Sequence, residues 1–373
     1  MGQTVLQSID PDIGHVRLPF SAPTGRIERT IRGMRAWMLN ETAGPASYAL
    51  GEAPTPEPGP GEVRVALRAS ALNHLDLWVS RGAPAPPSMP HVSGADGAGV
   101  VDALGADVHD VTIGDEVVID PSTSCGDCPA CSRGDVPLCR ELCIVGEHRW
   151  GTHADAVVVP ADNVRSKPPS LSWEQAAAAG LVSSSALRML RRARFEPGDS
   201  VLVVGIGGGT SIATFLLAAA LGASQLWVTS RDADKLRWAA HHGATGGCRT
   251  SEPFDELIRE NTDGRGLDLV VDNLGSTTFA RSLRSLGRGG RLVTNGSTTG
   301  PHADLHLPTL FWRQLEVIGS TMNDHREFAD AMQLVGSGAI EVPVDSTFGF
   351  DELPAALARL DTGAQLGKIV LTR

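Results

Sequence analysis

The stretch Val201-Leu-Val-Val-Gly205-Ile-Gly207-Gly208-Gly209-Thr210-Ser211 reads as a buried strand, a glycine-rich turn and the start of a helix. Glycines let a backbone approach a pyrophosphate closely, and a helix N-terminus presents free N–H groups and a positive dipole end to it. A glycine cluster alone is weak evidence, but this one has the strand before it and the helix after it that dinucleotide binding requires. Ser211 stands where a third small residue, usually Gly, would pack. Outward from this turn the chain alternates. A helix is expected over 211–221, a strand at Leu226-Trp-Val-Thr229, a helix over 232–242, a strand over 267–272, a helix over 277–285 and a strand over 291–294. A helix near 308–314 and a strand over 317–320 follow. Strands alternating with helices at this spacing predict a parallel, doubly wound α/β sheet.

An Asp or Glu that binds the adenosine ribose is expected about 20 residues after the turn, at the tip of the second strand. The tip here reads Thr229-Ser230-Arg231, with Lys235 one helical turn later. A hydroxyl and two cations suit a 2′-phosphate, so NADP(H) is preferred over NAD(H). Asp232 is the rival ribose ligand, and its alternative role is to favour the helix N-terminus electrostatically.

Before about residue 172 the rhythm is different. Short alternating runs such as Val63-Arg-Val-Ala-Leu67 and Val117-Val-Ile119 are separated by Pro/Gly turns, which reads as a β-barrel or sandwich. Cys125-x2-Cys128-x2-Cys131-x7-Cys139 interrupts this region. Four thiolates can close a tetrahedral shell around Zn²⁺ and leave no position for a substrate, so a structural zinc is expected, with an iron–sulfur cluster the lesser alternative. Cys143 and Cys248 read as small core residues. Residues 1–33 show no periodicity and end in Arg26, Arg29, Arg32 and Arg35, which predicts a floppy extension or a mis-assigned start rather than a functional arm.

Composition narrows the function classes. The 373 residues carry 32 Lys+Arg against 43 Asp+Glu, a net charge of −11 that disfavours nucleic acid as a partner. The longest apolar run, Ile212 to Leu221, is far short of the ~20 residues that cross a bilayer, so no membrane association is expected. No secretory pattern opens the chain, and six cysteines, four of them crowded together, point to metal in a reducing compartment. A cytoplasmic enzyme acting on a small molecule is the expectation. The single tyrosine, Tyr48, leaves hardly any phenol for acid catalysis.

Taken together, Met34-Arg-Ala36, Pro58-Gly-Pro-Gly-Glu62, Asn73-His-Leu-Asp76, Gly94-Ala-Asp-Gly-Ala-Gly99, Val111-Thr-Ile-Gly-Asp-Glu-Val117, the four-cysteine lobe, the glycine turn and Gly367-Lys-Ile-Val370 resemble the medium-chain dehydrogenase/reductase family over residues 34–373. The resemblance implies a GroES-like catalytic domain, 34–172 with 340–373, split in sequence around a Rossmann domain, 173–339, with a return of the last strand to the first domain. It implies a homodimer or homotetramer. It also implies cofactor contacts from Leu274-Gly275, Asn295-Gly296 and Ser320-Thr321-Met322 at successive strand ends, and from Lys368 on the pyrophosphate.

Departures from the family pattern bear on the chemistry. Where its zinc alcohol dehydrogenases place a Cys, a His and a second Cys around a catalytic metal, this chain has Asn73, Ala95 and Leu181. Neither alanine nor leucine offers a lone pair, so the catalytic zinc is expected to be absent and the structural one kept. Zinc-free branches of the family, quinone and enoyl reductases, pass hydride to the β-carbon of a conjugated C=C, and Asn73 resembles their asparagine. The expectation is an NADPH-dependent reductase of a quinone, enone or enoyl thioester. Asn73 would orient the substrate oxygen, His74 or Asp76 would relay a proton, and His148 beside Glu147 is a further acid candidate; His153 reads as structural, where the family often has an aromatic. The alternatives are an alcohol or carbonyl oxidoreductase with an atypical metal site built from Asp96, Glu147 and His148, and a catalytically inactive NADPH-binding sensor or scaffold.

Overall fold

The computed structural model describes residues 33–373, so the expected extension lies outside the described residues apart from its last position. Gly33 already belongs to a strand, Gly33–Leu39, and Arg35 within it pairs with Asp155 at 3.1 Å. Arg35 is therefore part of the folded sheet, not of a basic tail.

The C-terminal half forms a six-stranded sheet in which every neighbouring pair is parallel. In spatial order its strands are Gly246–Arg249, Gln225–Ser230, Ser200–Val204, Leu267–Asp272, Leu286–Thr294 and Glu316–Gly319. The first strand in sequence thus sits third, and the chain leaves it in both directions. That reversal opens a crevice at the strands' C-terminal ends beside Ser200–Val204. Gly209–Ala220 is the helix that follows the glycine turn, and it buries Ile212, Ala213, Phe215 and Leu217 against the sheet.

The other half is a mostly antiparallel sheet ordered Val164–Ser166, Glu116–Ile119, Asp96–Leu104, Glu62–Ala71, Lys368–Thr372, Val344–Gly349, with Ala156–Pro160 also pairing Glu62–Ala71. Lys368–Thr372, the last strand of the chain, inserts beside Glu62–Ala71 with Val370 opposite Ala71. Valines at 63, 65, 101, 117, 157 and 159 form its core. This is the mixed α/β architecture of a GroES-like domain with a Rossmann domain. Among the described residues no helix is long and apolar enough to cross a membrane.

Periodicity missed one element that matters. Trp173–Arg192 is a twenty-residue helix, opened by a capping box between Ser172 and Gln175, and fourteen of its residues are buried. A helix covered on nearly every face shows no amphipathic stripe, because no face is left for polar residues. It packs against the strands 62–71 and 96–104 on one side and against the helices 209–220 and 325–336 on the other.

Candidate functional site

At the turn, Gly205 and Gly207 have φ of 78° and 141°, conformations that a side chain resists. A Cβ on Gly208 would meet only open space within 3.9 Å, so the backbone there is accessible to a ligand. Ser211 fulfils the packing role of the third glycine: it is buried and donates to Gly208 O at 2.9 Å. The cradle fits a dinucleotide pyrophosphate.

Leu274, at the tip of the neighbouring strand, packs against Gly205. Buried Asp272 accepts from the backbone N–H groups of Leu274 (2.9 Å) and Gly275 (3.1 Å) and from the hydroxyls of Thr278 and Ser282, which shapes the turn after its strand. Asn273 Oδ1 accepts from Asn295 N at 2.9 Å, tying Leu274-Gly275 to Asn295-Gly296. Ser320 N donates to Thr294 O at 2.9 Å, and Met322 takes a left-handed φ of 49° as the chain turns toward the next helix. Leu274, Asn295, Gly296, Ser320, Thr321 and Met322 therefore lie on three successive strand ends, as expected from their order.

At the adenosine end, Asp232 caps the helix 233–241, its carboxylate accepting from Asp234 N at 2.8 Å. Ser230 departs from the expectation. Its buried hydroxyl donates to Ile206 O at 3.2 Å and accepts from Asp232 N at 3.2 Å, so it braces the turn instead of facing a ligand. Lys235 also departs: its stem lies across Gly207 and its ammonium donates to Gly363 O at 2.6 Å. Arg231 is exposed, and its carbonyl accepts from the guanidinium of Arg249 at the tip of the adjacent strand. Sequence reading overlooked Arg249, because only strand pairing brings it there.

Asn73 belongs to a polar cluster with Asp96 and Lys368. Asn73 Nδ2 donates to Asp96 Oδ2 at 2.9 Å, and Lys368 Nζ donates to Asn73 Oδ1 at 2.6 Å and to Asp96 Oδ2 at 2.8 Å. Leu181 N donates to the other carboxylate oxygen, Oδ1, at 2.9 Å. An ammonium can only donate and a carboxylate can only accept, so the amide orientation follows from its partners. One Asn73 N–H remains, with only a 3.5 Å contact to Ala71 O. Lys368 was expected at the pyrophosphate; its stem does pass over Gly209, but its ammonium is held by Asn73 and Asp96. The Lys368–Asp96 pair is almost wholly buried, at 3% and 1% side-chain exposure.

The remaining candidates occupy different places. Asp76 is buried, with one oxygen capping the helix His74–Ser80 through Asn73 N at 2.7 Å and the other 3.4 Å from the buried His153 Nε2. Its geometry is that of a brace behind Asn73. His74 is kept neutral by burial and by the nearby Lys368 charge, both of which lower its pKa. His148 Nδ1 accepts from Ile144 N at 3.1 Å, and its other nitrogen lies 3.6 Å from Glu147, whose carboxyl burial pushes up to about 7. Tyr48 donates to Ser93 Oγ at 2.7 Å, and burial raises its pKa.

Cys125, Cys128, Cys131 and Cys139 are free thiols whose sulfurs all lie within 4.8 Å of one another. Sγ separations of 3.5–3.8 Å approach the ~3.8 Å edge of a tetrahedron with ~2.3 Å Zn–S bonds, so the residues fit structural zinc. Among the described residues this is the group of ligating side chains close enough to hold a metal; Asp96, Glu147 and His148 form no such group.

Two family models match parts of the chain. Residues 59–169 match the alcohol dehydrogenase GroES-like domain, and residues 247–371 match the zinc-binding dehydrogenase family. The chain is 30% identical to the crotonyl-CoA reductase of Streptomyces collinus over 364 residues, covering 87% of this chain and 81% of that one. The solved structure of an NAD-dependent alcohol dehydrogenase superposes with a TM-score of 0.87 at 39% identity, covering 91% of this chain and 100% of the other. A 2-octenoyl-CoA carboxylase reductase in complex with NADP and 2-octenoyl-CoA gives a TM-score of 0.83 at 27% identity, covering 91% and 87%.

Proposed function

The chain belongs to the medium-chain dehydrogenase/reductase family and is an NAD(P)-dependent oxidoreductase; from that premise we propose that it is an NADPH-dependent reductase of an activated C=C, such as an enone, a quinone or an enoyl thioester. The observation that carries this reading is the cluster of Asn73, Asp96 and Lys368. By the family resemblance, residues 73, 95 and 181 match the positions that hold a catalytic metal in zinc-dependent members. Here Asn73 and the backbone N–H of Leu181 converge on Asp96 beside the lysine ammonium. In the cluster the Asp96 carboxylate is already paired with the Lys368 ammonium and the Asn73 amide, which favours a reading without a catalytic metal.

Bound NADPH supplies a hydride. The second N–H of Asn73, held only by a long 3.5 Å bond to Ala71 O, is the donor for the substrate's carbonyl oxygen, where charge collects when the β-carbon accepts hydride. Lys368, bonded to the amide oxygen, polarises that N–H, and Asp96 holds both partners in register. An enolate spreads its charge and needs only such donors, whereas a simple alkoxide is better served by a metal. Exposed Arg231, with the Arg249 guanidinium resting on its carbonyl, brings the charge that favours a 2′-phosphate, while Asp232 gives one carboxylate oxygen to its helix N-terminus.

Purified protein should oxidise NADPH with an enone, quinone or enoyl-CoA and carry one zinc per chain. Metal-dependent oxidation of simple alcohols without turnover of those electrophiles would overturn the proposal. Exposed Leu307, Phe311 and Trp312, just ahead of the edge strand Glu316–Gly319, support assembly of copies of this chain, which sedimentation tests.

A further inference from the structure

Arg188 lies in the middle of the buried helix 173–192, at 5% side-chain exposure, and meets carboxylates from two other parts of the chain. Its guanidinium donates to Glu327 at 2.9 Å and to Asp135 at 2.7 Å, with Asp324 at 3.9 Å. Asp135 sits between Cys131 and Cys139, inside the loop that the four thiolates close. It opens the short turn Val136–Leu138, yet its side chain does not cap that turn and is given to Arg188 instead. Asp324 and Glu327 form the capping box of the helix His325–Gly336, immediately after Ser320-Thr321-Met322.

Three residues on this helix, Leu181, Ser184 and Arg188, are spaced i, i+3, i+7 and so share one face. The backbone N–H of Leu181 holds Asp96 of the Asn73 cluster. Ser184 donates to Asn323 Oδ1 at 2.9 Å, and Asn323 donates in turn to Asp120 at 2.9 Å. Arg188 holds the cysteine lobe and the capping box. One rigid helix therefore touches the candidate active cluster, the segment that leads out of the cofactor crevice and the metal lobe.

We propose that Arg188 is a positioning residue that couples the four-cysteine lobe to residues 320–327, so that metal retention and dinucleotide binding reinforce each other. This rests on the reading of 320–322 as part of the cofactor site. A buried guanidinium cannot release one carboxylate without redistributing its remaining bonds, so opening the lobe withdraws Asp135 and shifts the pull on Glu327 and Asp324. Coupling of this kind is reciprocal: the factor by which zinc tightens NADPH equals that by which NADPH tightens zinc.

The test uses the full chain as purified. Zinc transfer to a chromogenic chelator is followed at equilibrium with and without NADPH, and NADPH affinity is read from nucleotide fluorescence. In the wild type, NADPH is expected to tighten zinc by about five- to 150-fold, the usual span of such couplings. Asp135→Asn keeps all four thiolates and should retain zinc, yet its zinc affinity should no longer respond to NADPH. Arg188→Lys, which retains the charge, should restore part of the response that Arg188→Met loses. If Asp135→Asn responds to NADPH as the wild type does, or if wild-type zinc affinity ignores NADPH that is seen to bind, the coupling is wrong. A wild type that binds no dinucleotide overturns the cofactor reading and the coupling with it.

Discussion

Removing the carboxylate of Asp96 should be among the most damaging single changes in the molecule. Asp96→Asn leaves the Lys368 ammonium, at 3% exposure, with an amide in place of its counter-charge at 2.8 Å. At that distance and an effective dielectric of about 20, the direct attraction is about 6 kcal/mol. The cost of removing both ions from water offsets much of this in the intact pair. With one partner gone the cost is uncompensated, and breaking a buried pair in this way destabilises by about 3–5 kcal/mol. At roughly 2–4 °C per kcal/mol, calorimetry should show a fall in Tm of about 6–20 °C. Lys368→Met should be damaging for the mirror-image reason. The double variant Asp96→Asn/Lys368→Met should be less damaged than the sum of the two, since it leaves no buried charge unpaired. Activity should fall in all three, because Asn73 loses the partners that orient its amide. An Asp96→Asn protein melting within about 1 °C of the wild type, or a double variant that is strictly additive, would refute the reasoning.

Three other outcomes are expected. Arg231→Ala should lower kcat/KM with NADPH by about 10–100-fold, the worth of one charge-assisted hydrogen bond of roughly 1.5–3 kcal/mol, and leave NADH nearly unchanged; an equal loss for both cofactors would instead make Asp232 the ribose ligand. Cys131→Ser should lose zinc and lower Tm, and unchanged metal content by mass spectrometry together with an unchanged Tm would contradict the structural role. Glu147, raised by burial to about 7 from an ordinary value near 4.5, binds its proton more tightly in the folded than in the unfolded chain. Its contribution to stability is therefore present at low pH and is lost as pH rises from about 4.5 through 7, by roughly 3 kcal/mol. Glu147→Gln should remove that part of the pH dependence, so urea midpoints at pH 5 and pH 8 should lie closer together than in the wild type; an unaltered difference would show that the carboxyl titrates normally.

The features legible in the sequence are those whose geometry is set by residues adjacent in the chain. Val201–Ser211 is such a case, since apolar β-branched residues, glycines and a helix start dictate strand, turn and N-terminus locally. The cysteine spacing is another, because four thiolates within fifteen residues can meet with little help from the rest of the molecule. The capping role of Asp232 could be weighed in advance for the same reason. What the tertiary structure decided is where long side chains spend their charges. Lys368 lies 295 residues from Asn73 and 272 from Asp96, and it meets them only because the last strand inserts beside Glu62–Ala71. Ser230 and Lys235 carry the right chemistry for a phosphate, yet the fold gives them Ile206 O and Gly363 O as partners. Arg188 was hidden within a helix whose burial on nearly all sides erased its periodicity, and its partners Asp135 and Glu327 lie 53 residues before it and 139 after it. A local pattern specifies a local shape, but a buried charge takes whichever partner the packing of distant segments delivers, and that choice is made by the whole chain at once.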